Sequence, residues 1–240
     1  MQFHLRAACV IAITVCTALS AQASSLVTNG NFETTTNGTG QLGFNTDVTG
    51  WTTTGYNFVF NANTADTTGT SGYYGFLSLW GPKNGSSNGL GNSPTGGNFL
   101  AADGAYWTAP IQQTISGLNV GQKYTVGFDW AGAQQSGYTG PQTEQWAVSL
   151  GNQTQTTAVY NNPSHGFSGW MHESFTFTAT SGSEALSFLA IGTPTGVPPF
   201  SLLDGVTMVA AVPEPETWAL MLCGMGLIGA VQRRRRNRAA

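Results

Sequence analysis

The stretch Tyr124-Thr125-Val126-Gly127-Phe128-Asp129-Trp130 decides the fold class. Large apolar side chains recur at every second position, so Tyr124, Val126, Phe128 and Trp130 share one face of an extended strand. The same two-residue period continues outward along the chain. "SFTFTAT" (174–180) sets Phe175 beside Phe177, and "ALSFLAI" (185–191) aligns Leu186, Phe188 and Ala190. "QWAVSL" (145–150) and "SLLDGVTMV" (201–209) add further strands, separated by glycine and asparagine clusters. No amphipathic helical period appears between Ser24 and Ala211, and no repeat of fixed period that would indicate a solenoid or propeller. An all-β sandwich is the expected class.

Composition agrees. Only 8% of the 240 residues are charged, 11% are aromatic, and glycine occurs 32 times. Such a polar, turn-rich chain suits many short strands, and its 40% hydrophobic content is enough for a core. Between Ser24 and Ala211 the only cations are Lys83 and Lys123, against nine carboxylates: Glu33, Asp47, Asp66, Asp103, Asp129, Glu144, Glu173, Glu184 and Asp204. A surface of that sign repels a phosphate backbone, which argues against a nucleic-acid partner.

The ends read as addresses. Residues 1–23 carry Arg6, the apolar run from Ala7 to Leu19, and the small-residue pattern Ala21-Gln22-Ala23. This is the layout of a secretory signal peptide cut after Ala23. At the other end, residues 212–240 begin with Pro213-Glu214-Pro215, continue through an uncharged stretch from Trp218 to Val231, and finish with Arg233, Arg234, Arg235 and Arg236. As a helix that stretch is about 21 Å long against a hydrocarbon core of about 30 Å, a short transmembrane span that arginine stems and bilayer thinning extend. The arginines are expected to stay on the cytoplasmic side, leaving the domain outside. Cys9, Cys16 and Cys223 all fall in these two ends. The exported domain, 24–211, therefore has neither a disulfide nor a thiolate ligand to hold it.

The Pro-Glu-Pro, apolar segment and arginine cluster together resemble the PEP-CTERM sorting signal. That resemblance implies an exosortase in the inner membrane as a processing partner, after passage through the secretion translocon, with delivery to the cell envelope or extracellular matrix. The body resembles the galactose-binding-like jelly rolls that include many carbohydrate-binding modules. The residues that carry this likeness are "LVTNGNFE" (26–33), Gly50-Trp51, "IQQTISGLNVGQKYTVGFDWAG" (111–132), read as a central strand pair, and "LLDGVTMV" (202–209). By the same resemblance, Glu33 on a first strand and Asp204 on the last match the positions that hold a structural calcium, which takes six to eight oxygen ligands. The alternative is that Glu33 bonds a backbone amide and Asp204 opens a turn at Gly205.

Catalytic signals are weak. His165 and His172 lie near Trp170 and Glu173, but no G-x-S-x-G elbow accompanies them, and their spacing is not that of a zinc protease. Asp103, Asp129, Glu144 and Glu173 are available for glycoside hydrolysis, with nothing to select a pair. A non-catalytic protein is the expectation. Sugar binding is better supported, because aromatic platforms beside amides and carboxylates match a sugar's C–H faces and hydroxyls. Trp80, Tyr106, Trp107 and Tyr138 are the leading candidates, with Tyr73, Tyr74 and Trp170 behind them, while Trp51 and Trp130 are expected in the core. The glycine-rich run Gly81 to Gly97 reads as an exposed binding loop. A rival reading is a glycosylated structural matrix protein, modified at Asn37, Asn84 or Asn152, each the first residue of an Asn-x-Ser/Thr triplet.

Overall fold

The computed structural model describes residues 24–211, together with 221, 222, 224–226, 228, 229 and 237. The expected signal peptide, the Pro-Glu-Pro motif and Arg233–Arg236 lie outside the described residues. The described residues between 221 and 229 are helical, and among the described residues no helix is long and apolar enough to cross a membrane.

Thirteen strands follow in order: β1 (Gly40–Gln41), β2 (Asn57–Asn61), β3 (Thr70–Gly72), β4 (Gly75–Leu77), β5 (Asn98–Asp103), β6 (Ile111–Ser116), β7 (Lys123–Gln134), β8 (Gln142–Leu150), β9 (Gln153–Thr156), β10 (Tyr160–Asn162), β11 (Met171–Thr178), β12 (Ser183–Thr193) and β13 (Pro199–Ala210). A six-stranded sheet runs β1-β2-β5-β13-β7-β11, and a second runs β10-β8-β12-β6 with β9 also on β8. Every strand pair is antiparallel. The two sheets face each other as a jelly-roll β-sandwich.

The alternation seen in the sequence fills the space between them. Tyr124, Val126, Phe128 and Trp130 from β7 meet Trp146, Val148 and Leu150 from β8 and Leu186, Phe188 and Ala190 from β12 in one buried cluster. Phe188 is fully buried and lies edge-on to Phe128 at 5.2 Å and to Trp146 at 6.1 Å between ring centres. Trp51 closes the cluster, its Nε1–H shared between the carbonyls of Thr28 and Asn29 at 3.1 Å each. An indole buried with its one donor satisfied adds packing without a desolvation penalty.

The six-stranded sheet is covered on its outer face as well. Phe58 and Phe60 from β2, Phe99 and Ala101 from β5, Ala131 and Ala133 from β7, and Phe200 and Leu202 from β13 form a second buried cluster with Leu77, Leu79 and Leu90. Leu202 and Leu203, adjacent in β13, thus enter different cores. This explains why β13 reads as a continuous apolar run rather than a strict alternation.

Two sequence expectations change, and a third is extended. The run 111–132 is not one strand pair: β6 is an edge strand on β12, whereas β7 lies inside the opposite sheet, and the turn between them crosses the sandwich. The segment 26–33 is not a strand either. It bends alongside β13 and is tied there by Leu26 N–H to Met208 O and Val206 N–H to Gly30 O, both 2.8 Å. The glycine-rich run 81–97 is a loop exposed at most of its positions, but it is also tied down as part of the cover over the second core. Leu90 is buried, Asn88 Nδ2 donates to Trp80 O and His165 O, and Asn84 Nδ2 donates to Leu79 O at 2.8 Å.

Candidate functional site

The start of β2, the end of β5, the end of β7 and the start of β13 come together at one end of the six-stranded sheet, as antiparallel pairing requires. The loops that leave this end, with the β3–β4 hairpin beside them, enclose a cleft of about 400 Å³. Its wall is aromatic: Tyr56, Tyr74, Phe76, Tyr106 and Tyr138. Asp103 and Gln135 supply a carboxylate and an amide, and Thr195, Gly196 and Pro198 close the rim.

The cleft is built from the residues upward. Asp103 ends β5 with its side chain buried, and its Oδ1 accepts the N–H groups of Ala105 at 2.8 Å and Tyr106 at 3.1 Å. That turn aims the Tyr106 ring outward, where its hydroxyl donates to the Tyr74 hydroxyl at 3.1 Å. Tyr56 stands between them, edge-on to Tyr106 at 5.5 Å and tilted to Tyr74 at 6.0 Å. Tyr74 and Phe76 remain 64% and 81% exposed, far more than packing alone would leave on two adjacent rings. Burial pushes the Asp103 carboxyl up to about 6, against the two N–H bonds that favour its charged form. Burial, then the nearby Asp103 charge, pushes the Tyr56 hydroxyl up to about 12.

Of the four leading candidates, Tyr106 and Tyr138 line the cleft. Trp107 and Trp80 do not. Trp107 is 52% exposed outside the cleft lining, with a left-handed φ of 43°, and its carbonyl accepts the Tyr56 N–H at 2.9 Å. Trp80 lies against the His165 ring at 4.0 Å and donates its Nε1–H to Tyr138 O at 2.8 Å, so it holds the Tyr138 loop rather than offering a face. Trp170 packs edge-on to Phe99 at the margin of the second core, and Trp51 and Trp130 are buried as expected. Phe76 and Tyr56 also line the cleft, and neither stands out as a candidate in the sequence. Its one usable signal was "SGYYGF" (71–76), a tight Gly-bounded turn crowded with aromatic rings.

The carboxylates are dispersed. Glu144 is buried between the sheets, Asp129 pairs with His172 Nδ1 at 2.9 Å, and Glu173 is half-buried on β11. Of the glycosylation triplets, Asn37 and Asn152 are exposed, whereas Asn84 is held by Leu79 O and by the N–H of Gly81 at 2.8 Å.

Glu33 and Asp204 are brought within electrostatic reach of each other midway along β13, at its irregularity between Asp204 and Thr207. Asp204 is fully buried. Its Oδ2 accepts the hydroxyls of Ser93 and Thr95, and its Oδ1 accepts the Gly205 N–H at 2.7 Å. Glu33 Oε1 accepts the Asn98 N–H at 2.6 Å, a bond that Gly97 makes room for, since a Cβ there would stand 1.9 Å from the same oxygen. Burial, with a small addition from the nearby Glu33 charge, raises the Asp204 carboxyl to about 6 against the Ser93, Thr95 and Gly205 bonds that lower it. The donors present are all oxygens, which fits a hard cation. Among the described residues no group of three or more His, Cys, Asp or Glu side chains gathers for a metal.

Comparison with known proteins locates two family matches. Residues 95–206 match a family described as "Protein of unknown function (DUF642)", and residues 211–236 match the "PEP-CTERM protein-sorting motif". No curated protein matches the chain. Among solved structures, TmCBM61 in complex with beta-1,4-galactotriose is 13% identical, with a TM-score of 0.45, covering 79% of this chain and 100% of that one. The CBM22-1 xylan-binding domain of Paenibacillus barcinonensis Xyn10C is 14% identical, with a TM-score of 0.34 over 81% of this chain and 100% of that one. A CBM4 structure is 16% identical, with a TM-score of 0.35 over 77% and 99%. The chain thus carries a PEP-CTERM protein-sorting motif behind a β-sandwich whose residues 95–206 match the DUF642 family.

Proposed function

We propose that the chain is an exported, non-catalytic carbohydrate-binding protein, delivered to the cell envelope or extracellular matrix through exosortase processing of its tail, and that it takes polysaccharide in the tyrosine cleft. The observation that carries this reading is the grouping of Tyr56, Tyr74, Phe76, Tyr106 and Tyr138 around Asp103. Aromatic faces stack against the C–H surface of a pyranose, and the carboxylate, the Gln135 amide and the tyrosine hydroxyls exchange hydrogen bonds with its hydroxyls. No basic side chain lines the cleft, so an uncharged sugar chain suits it better than an acidic one.

Electrophoresis of the purified chain through gels cast with neutral polysaccharides tests the binding. Retardation by at least one of them is expected, and unaltered migration in all would reject the reading. For the tail, Glu214→Ala is expected to leave an uncut, membrane-associated chain in the source cells, and normal release of that variant would remove the exosortase step.

A structural calcium shared by Glu33 and Asp204 belongs to the same proposal, supported by their oxygen-only surroundings. It would tie the irregular segment 26–33 to β13, where no disulfide does so. A chelator is then expected to lower the melting temperature of the purified chain. Asp204→Asn should remove this site's share of that effect, and an undiminished effect in Asp204→Asn would assign the calcium elsewhere.

A further inference from the structure

A second polar cluster lies inside the sandwich beside Gly132, whose partner in β13 is Ser201, three positions before Asp204. Gln142 and Glu144 on β8 and Asn162 on β10 are 3%, 0% and 1% exposed. Gln142 Nε2 donates to Glu144 Oε1 at 2.5 Å, and Asn162 Nδ2 donates to the same oxygen at 3.1 Å. The three side chains are therefore gathered around one carboxylate. Their remaining oxygens, Gln142 Oε1, Glu144 Oε2 and Asn162 Oδ1, are buried and accept no hydrogen bond from the protein. An unsatisfied buried acceptor costs about 1–3 kcal/mol, more when charged, so three in one cluster need an explanation.

The missing element is a donor or a positive charge: burial pushes the Glu144 carboxyl up to about 8 against the bonds from Asn162 and Gln142. Among the described residues the only basic side chains besides histidine are Lys83, which pairs with Asp66, and Lys123, which begins β7. Gly132, the β7 residue beside Glu144, is nine positions further along that strand, about 30 Å away at the usual rise. Gly132 also keeps space open: a Cβ there would stand 2.8 Å from Glu144 Oε2. Gln142 and Asn162 in turn line a pocket of about 380 Å³ together with Thr143, Asn161 and Thr193, which gives the cluster an approach from the surface. Carboxylate, amide and carbonyl oxygens, without nitrogen or sulfur donors, are the ligand set of a hard cation.

We propose that Glu144, Gln142 and Asn162 bind a hard cation of the calcium class between the two sheets, at the end of the sandwich that also carries the tyrosine cleft. The ion neutralises the one carboxylate and engages the oxygens that the protein leaves without donors. It also braces the β7–β8 connection that carries Tyr138, because Gln142 Nε2 donates to Ala133 O at 2.6 Å and Gln134 Nε2 to Gly140 O at 3.0 Å. This site stands apart from the cleft's ligand and from the Asp204 site, and its test separates the three.

Terbium, a calcium mimic excited through nearby aromatic rings, is titrated into the chelator-stripped, purified Asp204→Asn chain, in which the other candidate site is disabled. Sensitised emission that calcium competes away is expected, with Tyr160 and Trp146 as antennae near Glu144. Adding Glu144→Gln, which keeps the shape and removes the charge, is expected to weaken terbium binding at least about tenfold. Gly132→Ala, which fills the space beside Oε2, should weaken it in the same direction. Emission unchanged by both substitutions, or no competable emission in Asp204→Asn, would overturn the proposal and leave ordered water as the partner of these oxygens.

Discussion

The Tyr106 hydroxyl donates to the Tyr74 hydroxyl at 3.1 Å, joining the turn after β5 to the β3–β4 hairpin across the mouth of the cleft. One hydrogen bond between exposed groups contributes little to stability. Its effect is positional, since it fixes two rings that would otherwise rotate independently. Tyr106→Phe keeps the ring and removes the bond, so weaker retardation on a polysaccharide gel than that of the wild type is expected. Retardation equal to that of the wild type would mean that the bond does not position the two rings.

Asp103 places a pH dependence on the fold. Its carboxyl is pushed by burial from 3.8 to about 6, so folding favours the neutral form. The stability associated with that proton is fully present below pH 3.8 and is lost as pH rises through about 6. Asp103→Asn keeps an Oδ1 for the Ala105 and Tyr106 N–H groups and removes the ionisation. Above pH 6 the variant is expected to be more stable than wild type by about 2–3 kcal/mol, a margin that vanishes toward pH 4. Denaturant unfolding at pH 4 and pH 8 checks this, and a margin independent of pH would contradict it.

Phe188 joins the sheets at the centre of the core, touching the rings of Trp51, Phe128 and Trp146. Phe188→Ala leaves a cavity that neighbours on two hydrogen-bonded sheets cannot collapse into, at a cost of about 3–5 kcal/mol. Phe76, 81% exposed at the cleft, is expected to change stability by less than about 0.5 kcal/mol when replaced by alanine. Equal losses at both positions, measured by the same denaturant titration, would show that the Phe76 ring is packed in solution.

The sandwich was legible because burial on one face imposes a period of two, and Tyr124 to Trp130 carries that period without a break. β13 was harder to place. Leu202 and Leu203 point into opposite cores, a condition created by the cover over the outer face and carried by no local pattern. In 81–97, glycine and asparagine mark an exposed loop correctly but give no sign that Asn84 and Asn88 tie it down through backbone carbonyls. At the site, the sequence marks Trp80, Tyr106, Trp107 and Tyr138 alike as aromatic candidates and does not separate those that line the cleft from those that do not. What separates Trp107 from Tyr106 is that only Tyr106 lines the cleft, and Trp107 has a left-handed backbone of which adjacent residues in sequence give no sign. Phe76 became a ligand-facing candidate only when the β3–β4 hairpin folded beside the end of β5.

The central claim is that a sugar chain occupies the tyrosine cleft, and the most direct test compares two neighbouring aromatic residues. On a polysaccharide gel that retards the wild type, Tyr106→Ala is expected to lose affinity about tenfold or more, equivalent to roughly 1.4 kcal/mol. Trp107→Ala, altered one residue away but outside the cleft, should migrate with the wild type. Loss of retardation in Trp107→Ala with Tyr106→Ala unaffected would contradict the account.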